Sequence, residues 1–258
     1  MLYVEDGQGR PLSVLANYSL HYVGNPGRGV SADYFGEFSR LMQVRVGRPA
    51  DDFVAMLTNG TSGDINNINF RAPRPRRAPF EQIGIVASKT ADAATLALGN
   101  IEGLRGDVKL GMVQREITLE HRRPDPEWFE RAKQIVAVPL KDTERPSLER
   151  IYAGRTVELS KLPPTTRVVI QAIRIGDLAI CTLPFEVLVE IGLELKEKSP
   201  AGDTFVVELA NGGYGYLPTP RQHQLGGYET WLGTSKVQVD ASEILVTNLL
   251  GMLKDLFR

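Results

Sequence analysis

Two polar segments in the first half of the sequence contain side chains that could do chemistry. His21 follows an apolar run, and a neutral imidazole nitrogen is a common metal ligand. Residues 59–69 follow a second apolar run and contain several asparagine and hydroxyl side chains close in sequence to Asp64 and Asn66. Loops after buried strands are where α/β enzymes commonly place their sites. We therefore take His21 as a candidate metal ligand and expect Asp64 and Asn66 to lie in a functional loop.

A third polar segment lies in the second half of the sequence. Glu186 follows the apolar run 178–183 and a proline, so it stands where a strand ends. The loop 210–234 carries Tyr216 and Tyr228 among more glycines than ordinary packing requires. Glycine lets a backbone come close to a ligand, so we expect this loop to line a binding site.

Each of these features also has a purely structural interpretation, which the sequence leaves open. His21 fits a hydrogen-bonded histidine at a sheet edge. The asparagine-rich loop fits a series of turns whose side chains bond their own backbone. Glu186 fits an acid in the first turn of a helix, where the helix dipole stabilises it.

Composition limits the classes of partner. The 258 residues include 30 Lys and Arg against 31 Asp and Glu, so no strong field points to nucleic acid or an anionic membrane. No stretch reaches the roughly 18 apolar residues of a transmembrane span. Cys181 is the single cysteine and lies in an apolar run, which predicts a buried core thiol and excludes an intrachain disulfide.

Apolar periodicity and turn residues predict the elements that position these side chains. The predicted strands are residues 2–5, 11–20, 52–58, 108–119, 167–175, 178–183 and 204–209. The predicted helices are residues 31–46 with Ser31 as N-cap, 80–98, 125–138, 148–159, 185–198, and a last helix that starts with a capping-box-like Asp240 and Glu243. The basic, proline-containing run 71–77 predicts an exposed loop, either solvated or anion-binding.

Helices alternate with strands, but several strands adjoin each other as hairpins. This arrangement favours a mixed α/β fold, with one or two mixed β-sheets flanked by α-helices, over a purely parallel sheet. No linker forces a boundary, so we expect one domain over residues 1–258.

The polar motifs, taken in order, resemble those of the catalytic domain of neutral/alkaline ceramidases. Ala32-Asp33 follows His21 by about a dozen residues, as a Ser-Asp or Ala-Asp pair does in that family. The remaining matches are Gly63-Asp64-Ile65-Asn66-Asn67, Pro184-Phe185-Glu186, and the series Asn211, Tyr216, Thr219 and Tyr228-Glu229. They span almost the whole chain in family order.

The resemblance implies a zinc-dependent hydrolase with His21, Glu186 and Tyr216 as metal ligands. Tyr228 would hydrogen-bond the reacting carbonyl or its tetrahedral intermediate, and Asp64 and Asn66 would shape the site. Zinc that keeps a position for water lowers the pKa of that water and polarises a carbonyl. The implied reaction is cleavage of an amide (N-acyl) or ester bond in a small-molecule or lipid-like substrate.

The sequence departs from the family pattern in two places. The family's serine in Gly-Asp-x-Ser is Asn66 here, which cannot be a nucleophile, although its amide could stabilise an oxyanion. The family's earlier histidine-rich zinc motif has no counterpart, so we expect the chain to lack the family's N-terminal segment. Two alternatives therefore stay open: an inactive or incomplete member that binds a ligand without turnover, and a plain α/β domain whose loops only resemble the family.

The first residues show no signal-peptide pattern, which favours a cytoplasmic chain as it stands, whereas members of the family are often secreted. The compartment therefore stays open. A surface that the N-terminal segment would cover could drive self-association, so homo-oligomer formation is a further expectation.

Overall fold

The computed structural model describes residues 1–24, 29–46, 52–73, 75–140 and 145–258. The chain forms two compact units, Met1–Val108 and Lys109–Arg258. Their sheets contain both parallel and antiparallel pairs, flanked by helices, so the expected mixed α/β fold is confirmed. The expectation of one domain over the whole chain stays a prediction.

The first unit is built on a three-stranded sheet, in the order β1 (Leu2–Glu5), β2 (Pro11–Tyr18) and β3 (Val54–Asn59). β1 and β2 form the expected antiparallel hairpin, whereas β2 and β3 are parallel and end on the paired residues Tyr18 and Asn59. Helices α1 (Asp33–Arg45) and α2 (Glu81–Gly99) cover the buried side of the sheet. The carboxyl ends of β2 and β3 therefore share one edge, where the candidate loops begin.

The second unit is built on a four-stranded sheet, in the order β4 (Leu110–Glu120), β5 (Thr165–Ile175), β6 (Leu178–Leu183) and β8 (Asp203–Glu208). Helices α5 (Val189–Lys198) and α7 (Ala241–Leu256) bury their apolar faces against this sheet. The other helices are α3 (Pro126–Ala137), α4 (Leu148–Ser160) and the short α6 (Pro220–Leu225). A two-residue parallel pair, β7 (Glu186–Val187) with β9 (Tyr216–Leu217), completes the unit.

Two predicted elements of the second unit are wrong in detail. The helix predicted over residues 185–198 starts only at Val189, because Glu186 and Val187 form β7 instead. The segment 210–234, predicted as loop, contains β9, α6 and a 3-10 helix at Tyr228–Thr230. β7 and β9 form by pairing between segments far apart in sequence, which local periodicity does not register, whereas α6 and the 3-10 helix are short local elements within the glycine-rich segment.

Two predicted helix caps are also wrong. Helix α1 has Ala32 as its N-cap, and the Ser31 hydroxyl accepts a bond from the Asp33 N–H one residue too early to cap it. Helix α7 does start after Asp240 as expected, but the Asp240 side chain makes no capping hydrogen bond. In the basic run, Arg74 lies outside the described residues, and the other residues of 71–77 are exposed without helix or strand.

No helix in the described part of the chain is long and apolar enough to cross a membrane. Cys181 is confirmed as a fully buried core thiol on β6, among the strand and helix residues of the second unit.

Burial raises the pKa of the Cys181 thiol to about 12, so little thiolate forms in the folded chain. We expect Cys181 to react with a thiol reagent at least about a thousandfold more slowly in the native protein than in denaturant, because reaction requires opening of the core. Colorimetric thiol titration with and without guanidinium measures both rates. Fast labelling of the native protein would contradict the buried position.

Candidate functional site

His21 is held by the loop that follows β3. Its backbone N–H donates to the Ile65 carbonyl at 3.0 Å, and its ring Nδ1 lies 2.6 Å from the Ser62 carbonyl oxygen. A carbonyl only accepts, so Nδ1 carries the proton and Nε2 of the neutral ring carries the lone pair. Metal-binding histidines are commonly oriented by such a bond to a backbone carbonyl. The tautomer of His21 therefore suits a metal ligand.

Asp33 fixes the chain just after His21. Its carboxylate accepts hydrogen bonds from the backbone N–H groups of Val23 at 3.1 Å and Gly24 at 2.7 Å, and also from the first turn of α1. A Cβ at Gly24 would lie 2.6 Å from the Ile83 Cδ1 and 2.7 Å from the Asp33 carboxylate, so a larger residue there would displace both side chains. Just before His21, the Tyr34 hydroxyl donates to the Leu20 carbonyl at 2.6 Å.

Asp64 and Asn66 lie on the same loop that contacts His21, and both are half-buried. The loop is braced by the Asn59 side chain, whose amide donates to the Ser62 hydroxyl at 3.0 Å and whose oxygen accepts from the Leu20 N–H. The first unit thus brings His21 next to the segment that carries Asp64 and Asn66.

Glu186 lies beside Tyr216 because β7 and β9 pair in parallel with these two residues in register. The Glu186 N–H donates to the Gly215 carbonyl at 2.9 Å, and the Leu188 N–H donates to the Leu217 carbonyl at 3.3 Å. The Tyr216 phenol hydrogen-bonds the Glu186 carboxylate and lies 2.8 Å from the Tyr228 hydroxyl. Glu186, Tyr216 and Tyr228 therefore form one polar cluster, which we call the tyrosine–glutamate cluster.

Glu208 supports the tyrosine–glutamate cluster from the end of β8, a role that the sequence analysis missed. Only 4% of its surface is exposed, and its carboxylate accepts a hydrogen bond from the Val187 N–H at 2.8 Å. This bond holds Val187 in β7 and explains why α5 starts later than its periodicity predicts. The sequence feature that could have indicated this role is an acid directly after the apolar run 205–207.

Both phenols of the cluster keep their protons at neutral pH. Burial, followed by hydrogen bonds with Tyr228 and Glu186, raises the pKa of Tyr216 far above its usual value. Burial also raises the pKa of Tyr228, with smaller contributions from Glu229, Glu186 and Tyr152. Both groups are therefore hydrogen-bond donors, and ionisation of Tyr216 would need a cation beside it.

Two other motif residues have structural roles in the second unit. Thr219 is the N-cap of α6 and forms a capping box with Gln222. The Asn211 amide donates to the Gln171 side chain at 3.0 Å and to the Thr182 hydroxyl at 3.3 Å. These contacts hold the start and the middle of the segment 210–234 that carries Tyr216 and Tyr228.

A half-buried histidine, His223, lies on α6. Burial, and then the nearby Arg122, lowers the pKa of His223. Burial also lowers the pKa of Arg122, whose guanidinium donates to the Thr230 and Ser235 carbonyls at 2.8 and 3.1 Å. His223 is therefore neutral at neutral pH.

The expected metal ligands are one nitrogen and two oxygen donors. Among the residues that the structure describes, no group of three or more His, Cys, Asp or Glu side chains is arranged to hold a metal ion. The first unit positions His21, and the second unit brings Glu186 and Tyr216 together. The donor types fit zinc, which takes imidazole nitrogen and carboxylate oxygen.

Comparison with solved structures shows a ceramidase-like fold. A neutral ceramidase from Pseudomonas aeruginosa matches with a TM-score of 0.70 and 18% identity, over 98% of this chain and 45% of that chain. A ceramidase complexed with C2 matches with a TM-score of 0.70 and 16% identity, over 96% of this chain and 46% of that one. The chain thus spans less than half the length of either. No protein-family model and no curated protein matches the sequence.

Loss of the Glu208 carboxylate should destabilise the fold around the cluster. Glu208→Ala leaves the buried Val187 N–H without this acceptor, so we expect a loss of about 2 kcal/mol or more in the free energy of unfolding. Glu208→Gln keeps an oxygen acceptor and should lose less. Urea denaturation measures both, with the exposed Glu197→Ala as control. Equal stability of Glu208→Ala and wild type would contradict the supporting role.

Protonation of His223 should destabilise the folded chain. The pKa of His223 in the folded chain lies below the value of about 6.5 for the unfolded chain. The neutral imidazole therefore contributes stability above about pH 6.5, and this contribution is lost as the pH falls through the pKa of the folded chain. We therefore expect His223→Gln to raise the melting temperature relative to wild type near pH 5 but not near pH 8. The same difference at both pH values would contradict this.

Proposed function

We propose that this chain is a member of the neutral/alkaline ceramidase-like family and a zinc-dependent hydrolase that cleaves an amide (N-acyl) or ester bond. The observation that carries the proposal is the tyrosine–glutamate cluster: the three family-motif residues Glu186, Tyr216 and Tyr228 lie together although 42 residues separate the first from the last. The ceramidase-like fold supports it.

We assign His21, Glu186 and Tyr216 as the zinc ligands. His21 is the imidazole ligand, and the bond from its Nδ1 to the Ser62 carbonyl is the orientation common among metal-binding histidines. Glu186 offers a carboxylate that already holds the Tyr216 phenol by a hydrogen bond. When bound, zinc would polarise the substrate carbonyl and lower the pKa of a water molecule.

Tyr228 is assigned to the reacting carbonyl. It is 40% exposed, so a substrate can reach it, and its raised pKa keeps the hydroxyl protonated. Because the single Tyr216 proton goes to Glu186, the Tyr228 hydroxyl donates to Tyr216 here, and donation to a substrate carbonyl requires that hydroxyl to rotate. A donor placed where negative charge develops stabilises the tetrahedral intermediate more than the substrate. Tyr216, at 2.8 Å, fixes the position of the Tyr228 hydroxyl.

Asp64 and Asn66 are assigned to shaping the site. Asn66 cannot attack a carbonyl, so this chain would use water rather than a side-chain nucleophile at that position. Its amide is a donor that can orient a substrate or stabilise an oxyanion. The balanced charge of the chain fits a small-molecule or lipid-like substrate and no nucleic acid.

The second candidate function is ligand binding without turnover, by an inactive or incomplete member of the same family. Asn66 in place of the family's serine favours it. Such a protein would keep the tyrosine–glutamate cluster as a hydrogen-bonding site for a polar group.

Turnover of an N-acyl amide and of the matching ester tests the proposal. Tyr228→Phe should lower kcat by about a hundredfold to a thousandfold, since it removes one donor to the oxyanion. The matched control is Tyr214→Phe, in the same loop, whose hydroxyl donates instead to the Arg167 carbonyl. Treatment with a chelator should abolish activity and added zinc should restore it.

Three results separate the candidates. Full activity of Tyr228→Phe would contradict its assigned role. Activity that survives removal of zinc would contradict the metal dependence. Absence of turnover of either substrate by zinc-loaded protein, together with saturable binding of them, would establish ligand binding without turnover instead.

A further inference from the structure

A second feature of the second unit lies beside the tyrosine–glutamate cluster. It is a cavity of about 370 Å³ between α3, α4 and the segment after Tyr228, which we call the tryptophan groove. Its walls are Trp128, Leu148, Tyr152, Thr156, Trp231 and Leu232, with Glu149 at the edge. Ligand pockets commonly start at about 300 Å³, so the groove is large enough to hold a guest.

Most polar atoms in the walls of the groove take part in hydrogen bonds or an ion pair. The Trp128 indole N–H donates to the Thr156 hydroxyl at 3.1 Å, and that hydroxyl donates to the Tyr152 carbonyl at 2.8 Å. The Tyr152 hydroxyl accepts from Thr234 at 3.1 Å. Glu149 pairs with Arg131 at 2.9 Å. A guest in the groove would therefore meet aromatic and aliphatic surface.

The groove is nevertheless open to solvent. Trp231 is 42% exposed and Leu148 is 59% exposed. The Trp231 and Tyr152 rings meet edge to face with centroids 4.8 Å apart, so they form one aromatic wall. Large apolar side chains that are exposed side by side in a cavity are typical of a binding surface.

The groove is linked to the tyrosine–glutamate cluster through two of its wall residues, Trp231 and Tyr152. Trp231 follows Tyr228 by three residues, and its backbone N–H donates to the Tyr228 carbonyl at 3.2 Å. Tyr152 lies close enough to Tyr228 to act on it electrostatically. A molecule whose polar end reaches the Tyr228 hydroxyl would have its apolar part directed along these two rings.

We propose that the tryptophan groove binds the hydrocarbon chain of the ligand whose polar end is held at Tyr228. About 30 Å³ per water-sized group gives room for roughly a dozen methylene groups, so the groove fits a medium-length acyl chain. The identification of this hydrocarbon chain as part of a substrate rests on the proposed function. The binding of a hydrocarbon chain in the groove does not rest on it.

Binding can be observed directly because Trp128 and Trp231 are the two tryptophans of the chain. Tryptophan fluorescence of the whole protein, excited at a wavelength that tyrosine does not absorb, therefore reports on these two groove residues. We expect dodecanoate, below its micelle concentration, to cause a saturable blue shift. Octanoate, with the same carboxylate and four fewer methylenes, should bind at least about tenfold more weakly, since each buried methylene strengthens binding about threefold.

Leu148→Asp is the test variant and Leu193→Asp its control. Leu148 is the first residue of α4, where an acid suits the helix dipole, so the variant should fold. Leu193 on α5 is similarly exposed, at 57%, and does not line the groove. We expect Leu148→Asp to weaken dodecanoate binding at least about tenfold and Leu193→Asp to leave it unchanged.

Three results would each contradict binding of a hydrocarbon chain in the groove: equal affinity for octanoate and dodecanoate, no fluorescence change with either, or unchanged binding of dodecanoate to Leu148→Asp. These results do not depend on turnover or on zinc, so they are separate from failure of the proposed hydrolysis. If the protein hydrolyses N-acyl amides, Leu148→Asp should also raise KM for a dodecanoyl substrate at least about tenfold more than KM for an acetyl substrate. A purely structural role for Leu148 would move both substrates together.

Discussion

The tyrosine–glutamate cluster of the second unit depends on a short parallel pair of strands. Glu186 and Tyr216 are in register across β7 and β9, and only two residues on each side make the pair. So short a pair depends on outside support, which comes from the buried Glu208 carboxylate at the Val187 N–H. Every further contact of the cluster, including the bond between Tyr216 and Tyr228, requires the backbone of this pair to stay in place.

In the first unit, too, a carboxylate accepts hydrogen bonds from backbone N–H groups close to a candidate ligand. Asp33 accepts from the N–H groups of Val23 and Gly24, just beyond His21. In both units a carboxylate that joins an element end to a neighbouring loop fixes a candidate ligand nearby. Rigid support of this kind is what a binding site needs, since side chains on unsupported loops would not keep a common geometry.

Local patterns predicted the regular elements well, because alternation and helical periodicity are properties of adjacent residues. The strand 178–183 and its turn at Gly176 agree with the structure. The helix predicted from residue 185 did not, because Glu186 bonds to Gly215 and Val187 to Glu208, over twenty residues away. The residue types of the candidate site could be chosen from spacing and family resemblance. The supporting acids and the tryptophan groove could not, since they exist only through tertiary contacts.

We propose that one zinc ion is held by His21, Glu186 and Tyr216. Elemental analysis of the purified protein, of Glu186→Ala and of Glu190→Ala tests it most directly, because Glu190 is an exposed acid four residues further on. The account predicts about one zinc per chain in wild type and in Glu190→Ala, and loss of that zinc in Glu186→Ala. No zinc in wild type, or equal zinc in Glu186→Ala, would contradict it.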